Sequence, residues 1–199
     1  MKLSNIFILS VLFGLGIVFS VFAHCDTVNG PVVSDAKQAL EKANADIVLK
    51  WVRQQDEEKI RKAFNETLEK RKQHPKDKGN IDMSFYEEVV KLHRAGEGVE
   101  YSGIKTGEIK INPITEIADT ALAKSDAGEL IKMFPESARA DIQSDFDEVM
   151  KKKKHMNENI AAGREYVASY VKFMHHIESL YGAENTETHG QNKETHHKH

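Results

Sequence analysis

Four metal donors sit in two adjacent residues of this 199-residue chain, His24 and Cys25, provided that the chain begins at His24. An amino-terminal His24 offers its α-amine and its imidazole to one ion, closing a chelate ring, and Cys25 adds a backbone amide nitrogen and a thiolate. An α-amine has an ordinary pKa of about 7.7–8, so a metal displaces its proton near neutrality. A nitrogen-and-sulfur donor set suits Cu(II) or Ni(II) better than Ca2+ or Mg2+, which take oxygen ligands.

For His24 to come first, the residues before it must be removed, and they have the form of a secretory signal. Lys2 precedes an apolar run from Ile6 to Phe22 that ends in Val21-Phe22-Ala23, the charged, apolar and small-residue regions of a signal peptide. Residues 1–23 are therefore expected to be cleaved after Ala23, leaving 176 residues outside the cytoplasm, periplasmic or secreted. That length suffices for one good core, and no second apolar stretch is long enough to cross a bilayer. The formal charge is −3, or −4 once Lys2 is gone, which argues against nucleic acid as the main partner. Cys25 is the single cysteine, so no internal disulfide can form in a compartment that favours them. As the second residue of the processed chain, it reads first as a metal ligand, ahead of a reactive thiol or an intermolecular bridge.

The elements that must position this end are two copies of one unit. An offset of 82 residues, without a gap, sets Pro31 through His93 on Pro113 through His175, with about 14 of the 63 positions identical. Identities include Ala36/Ala118, Leu40/Leu122, Ile60/Ile142, Phe64/Phe146, Val89/Val171 and His93/His175, and apolar pairs such as Val48/Leu130 and Val52/Phe134 stay in phase. Apolar residues recur at three-to-four spacing and strand signals are scarce, which predicts an all-α helical bundle of two tandem repeats with about four helices each. In the first repeat, 31–95, helices are expected over Ser34–Lys42 with Ser34 as N-cap, Asp46–Val52, Asp56–Gln73, and Ile81–Arg94. The second repeat, 113–183, opens at Pro113 and continues with Ala138–Lys154 and Ile160–Tyr181. Residues 24–30 form the N-terminal metal-binding segment and 96–112 a connector whose glycines lack the strand and helix of a phosphate cradle. The polar tail, 184–199, carries His189, His196, His197 and His199 and is expected to be unstructured, with loose metal capture.

Within the repeats, His93 and His175 are symmetry mates on apolar stripes, following Phe85 and Val89 and, in the second copy, Val167 and Val171. Packing of the two units about a pseudo-twofold axis would bring them together as further metal ligands, with Glu97 and Glu178 one turn on as ligands or orienting groups. Each His also reads as a hydrogen-bonded core residue. Trp51 reads as core, Glu66 and Glu148 as a solvated face, and the basic runs 70–72 and 151–154 as helix C-terminal charge. The sequence holds no zinc-type cysteine pair and no His-Glu-x-x-His helix.

His24-Cys25-Asp26 resembles the hook that begins nickel superoxide dismutase, a helical-bundle enzyme. The sixth residue of that hook is a second cysteine ligand followed by Gly, where this chain has Asn29 and Gly30. The resemblance thus implies metal binding at His24 and Cys25 without the second thiolate. His24 with a distant second His is also similar to the histidine brace of copper monooxygenases. Nearly all of the chain after residue 23, by His24-Cys25-Asp26-Thr27, Gly30-Pro31-Val32-Val33, His93-Arg94-Ala95-Gly96-Glu97-Gly98 and Ala162-Gly163-Arg164-Glu165, resembles an uncharacterised family of exported bacterial helical proteins. The expectation is a helical protein that binds copper or nickel in metal handling or redox chemistry, any enzymatic activity being open. The alternative is a metal-free structural module that offers a helical groove to a protein partner.

Overall fold

Pro31 begins the first helix because its fixed φ and missing N–H suit the first helical position, and the extended Gly30 precedes it. In the computed structural model, which describes residues 24–107 and 112–191, this helix, α1, spans Pro31–Glu41. Ser34, expected as the N-cap, is inside it. Helix α2 covers Asp46–Leu49, shorter than the expected run to Val52, and α3 covers Glu57–Gln73. His74-Pro75 ends α3, and a tight turn leads into α4, Lys78–Gly96. The second half opens with α5, Pro113–Lys124, where the Asn112 side chain accepts from Ile114 N–H and Ser125 closes the helix at φ 58°. Helices α6, Gly128–Lys132, α7, Glu136–Lys153, and α8, Ile160–Gln191, complete the chain.

The protein is all-α: apart from the helices, the described residues pair only Thr27 with Lys105 in an isolated bridge. None of its described helices is long and apolar enough to cross a membrane. The proposed signal peptide, 1–23, lies outside the described residues. Helix α8 runs ten residues beyond the expected stop at Tyr181, into the segment expected to be unstructured, and 192–199 lie outside the described residues.

The helix starts at Pro31, Asp46 and Lys78 recur 82 residues on at Pro113, Gly128 and Ile160. The packing recurs with them, α1 and α3 lying against α4 as α5 and α7 lie against α8. Phe64 of α3 stands edge-on to Phe85 of α4, and its counterpart Phe146 of α7 edge-on to Phe173 of α8, a different position from the Phe85 counterpart Val167; Ile60 and Ile142 are both fully buried. One cation bond also recurs at this spacing. Arg71 donates to the Leu40 carbonyl at 3.1 Å and Lys153 to that of Leu122 at 2.6 Å, so each basic run does more than complement a helix dipole. Arg164 of α8 ties the halves together, donating to the Val52 and Leu49 carbonyls at 3.0 and 3.3 Å and to Glu57 at 2.6 Å.

Candidate functional site

The segment from His24 to Gly30 is folded into the bundle and carries a run of buried residues. Thr27 N–H and its hydroxyl both donate to the His24 carbonyl, at 3.1 and 3.0 Å, making a tight turn. The connector holds this turn in place, since Lys105 N–H donates to the Asp26 carbonyl at 2.8 Å and Val28 N–H to the Lys105 carbonyl at 3.1 Å. The connector is thus a clamp on the N-terminal segment as well as a link between the halves. Gly30 closes the turn against the His24 backbone: a Cβ at that position would stand 2.2 Å from the His24 carbonyl oxygen. Gly30→Ala is expected to cost about 1–3 kcal/mol, as other overpacking substitutions do, and to displace His24. Chemical denaturation checks this, and a variant as stable as the parent contradicts it.

Two histidines end in this region, each anchored through one ring nitrogen. His24 Nε2 lies 2.5 Å from Asp119 Oδ2 on α5, and Asp119 Oδ1 accepts from the Tyr170 hydroxyl on α8 at 3.0 Å. A carboxylate only accepts, so His24 Nε2 carries a proton and, in the neutral ring, Nδ1 holds the lone pair. That Nδ1 is buried and makes no hydrogen bond. His93 is anchored through its other nitrogen. Its Nδ1 is 2.9 Å from the Trp51 carbonyl, which can only accept, and Nε2 is left buried without a hydrogen bond, 3.5 Å from Glu97 Oε1. The Trp51 ring stands edge-on to His93 with centroids 5.6 Å apart, and its indole N–H is tied to Asp35 at 2.6 Å. His24 is 8% exposed and His93 4%, so both uncommitted nitrogens face the interior.

Cys25 is 2% exposed and feels the charges of Glu97, Asp26 and Asp119. Burial first, then Glu97 and Asp26, push its thiol far above the ordinary range, with Arg94 opposing them. Arg94 is paired with the cluster's carboxylates, 3.0 Å from Glu97 Oε2 and 3.3 Å from Asp26 Oδ1, and Lys105 adds its charge on Asp26. Asp26 is itself pushed up by burial against the pull of Arg94, and Tyr170 is pushed well up by burial, Asp119 and Cys25.

The folded-state value of the thiol is raised above the unfolded one, so its contribution to stability is whole below about pH 8.5 and drains away as pH rises above that. Tyr86 and Tyr166, pushed by burial to about 12, act in the same direction above their unfolded value of about 10. Stability is therefore expected to fall from about pH 9 upward, and Cys25→Ala to flatten the first part of that fall. Denaturation midpoints measured across this range check it, and a midpoint constant up to about pH 10 would be the contrary result.

The structure thus gathers His24, Cys25, His93 and Glu97 into one polar cluster. Glu178 instead accepts a hydrogen bond from buried Thr115 of α5, and His175 is half-buried about one turn before it on α8. As the side chains stand, no group of three or more His, Cys, Asp or Glu among the described residues is placed to hold a metal ion. The sequence reading passed over Asp119, Tyr170 and Arg94. Asp119 had a signal: it interrupts an apolar stripe beside Ala118, Ala121 and Leu122, where the position 82 residues earlier is Lys37. Beside the cluster, a cleft of about 270 Å3 opens to the surface between His24, Ser34, Asp119, Lys153, Tyr166 and Tyr170.

Fold and site define a helical-bundle protein that folds its N-terminal segment over a buried cluster of histidine, thiol and carboxylate groups. The chain belongs to the Family of unknown function (DUF6448), which matches residues 29–176. The match takes in His93, Glu97, Asp119, Tyr170 and His175 and starts after His24, Cys25 and Asp26. No curated protein and no solved structure matches the chain.

Proposed function

We propose that this is an exported protein that binds a transition metal, copper or nickel, through His24 and Cys25, with His93 closing the site and Glu97 beside it. His175 and Glu178 are kept as more distant support. The observation that carries the reading is the pair of buried histidines, each held through one nitrogen by a protein acceptor while the other makes no hydrogen bond, that of His93 standing 3.5 Å from Glu97 Oε1. Metal-binding histidines are held in this manner, one ring N–H on a carboxylate or carbonyl and the lone pair toward the ion. Cleavage after Ala23 would add the α-amine of His24 beside its Nδ1 and complete the chelate, so that export and metal loading are linked. Cu(II) or Ni(II) would displace the proton of Cys25, and the site would tighten from its present spacing as the ion enters. Duplication of an ancestral helical unit accounts for the recurrence of helices at 82-residue spacing and for the paired His93 and His175.

Titration tests this on the secreted chain, after intact mass has established that His24 is its first residue. Because α8 continues to Gln191, the tail histidines are best removed by His189→Gln, His196→Gln, His197→Gln and His199→Gln, without truncation. One equivalent of Cu(II) or Ni(II) is expected to bind tightly. A longer, uncleaved chain or the absence of tight binding contradicts the reading. The alternative of a metal-free interaction module has its own support in the neutral, deeply buried thiol and in a cluster charge already answered by Arg94. Absence of binding would favour it.

A further inference from the structure

We infer that Asp119, steadied by Tyr170, is the positioning residue that selects which nitrogen of His24 meets the metal, an inference that rests on the metal-binding reading above. The argument begins with the chemistry of a terminal histidine. Its α-amine can close a chelate ring with Nδ1 of the same residue, whereas Nε2 points away from the backbone and cannot. An unrestrained neutral imidazole exchanges its proton between the two nitrogens, so part of the population presents the wrong one. In this structure Asp119 Oδ2 takes the Nε2–H at 2.5 Å, which leaves the lone pair on Nδ1.

Asp119 is itself restrained. Its second oxygen accepts from the Tyr170 hydroxyl at 3.0 Å, and Tyr170 is 3% exposed and edge-on to Trp51, the residue whose carbonyl anchors His93. One rigid set of side chains therefore fixes the orientation of both histidines. The buried, hydrogen-bond-free Nδ1 is a second observation, independent of the Asp119 contact, that points to a ligand on that side of the ring. A carboxylate behind the imidazole also raises its basicity as a donor. His24, Asp119 and Tyr170 all line the surface cleft, while His24 Nδ1 is itself buried.

The test uses the full processed chain with the four tail histidines replaced by Gln, in the parent and in D119A, D119N and Y170F. Nitrogen-15 NMR of the metal-free protein reads the proton position on His24 directly. The parent is expected to be protonated at Nε2 and D119A to be a mixture, while D119N, whose amide oxygen still accepts, stays close to the parent. With Cu(II) as the probe, D119A is expected to lose about 10–100-fold in affinity and to change its electron paramagnetic resonance spectrum, with Y170F intermediate and D119N largely restored. A purely structural role would lower stability without altering the copper spectrum. An unchanged proton position in D119A, or copper bound as tightly and with the parent spectrum, overturns the inference alone. Failure of the parent chain to bind copper overturns the reading beneath it.

Discussion

Replacing Arg94 by methionine is expected to lower the unfolding free energy by about 3–5 kcal/mol near neutral pH, the range for removing one partner of a buried ion pair. Methionine preserves most of the packing volume of the side chain, so the loss reports on charge. Arg94 answers two carboxylates, Asp26 and Glu97, that lie 2% and 19% exposed at their side chains. Without it, both would have to ionise beside one another and beside Cys25, with Lys105 left as the cation acting on Asp26. Asp26, already raised by burial, would rise further above its unfolded value of about 4, so the deficit should vanish below about pH 4 and grow as pH rises through the new folded value. Denaturation of parent and variant at acidic and neutral pH measures this. A deficit under about 1 kcal/mol, or one that does not depend on pH, would show that Arg94 is not what holds the cluster together.

The second large effect concerns the metal. Cys25→Ser and His93→Ala are each expected to weaken Cu(II) binding by about 100-fold or more, beyond the 10–100-fold typical of losing an orienting partner. His175→Ala should fall well short of that, since its neighbour Glu178 is engaged with Thr115 on α5. Competition titrations against a chelator of known affinity give these ratios. Equal losses for His93→Ala and His175→Ala would instead favour a site shared between the two halves of the bundle, and no loss for Cys25→Ser would remove the thiolate from the ligand set.

Much of the fold could be read from the chain because its signals are local and repeated. Pro31 and Pro113 mark helix starts, His74-Pro75 marks a stop, Pro135 stands directly before the start at Glu136, and the pairs Ile60/Ile142 and Phe64/Phe146 mark the buried stripes. Two boundaries differ from the expectation. Ser34 has the side chain of an N-cap, yet Pro31 starts the helix three residues earlier; α8 continues beyond Tyr181, where composition alone suggested a tail. At the site, periodicity was enough to turn His93 inward. It could not show that the connector folds back so that Lys105 clamps Asp26, nor that Asp119, 95 residues beyond His24, meets it while bonded to Tyr170. Those contacts depend on how the two halves of the bundle pack, and no residue spacing encodes that.

The central claim is a metal site made by His24, Cys25 and His93, and X-ray absorption at the copper edge tests it most directly. The sample is the secreted, processed chain with its tail histidines replaced by Gln, loaded with one equivalent of Cu(II) and passed through a desalting column. The account predicts retained copper with one sulfur neighbour and the outer-shell scattering of two imidazoles. Copper lost on the column, or copper surrounded only by nitrogen and oxygen, would contradict it.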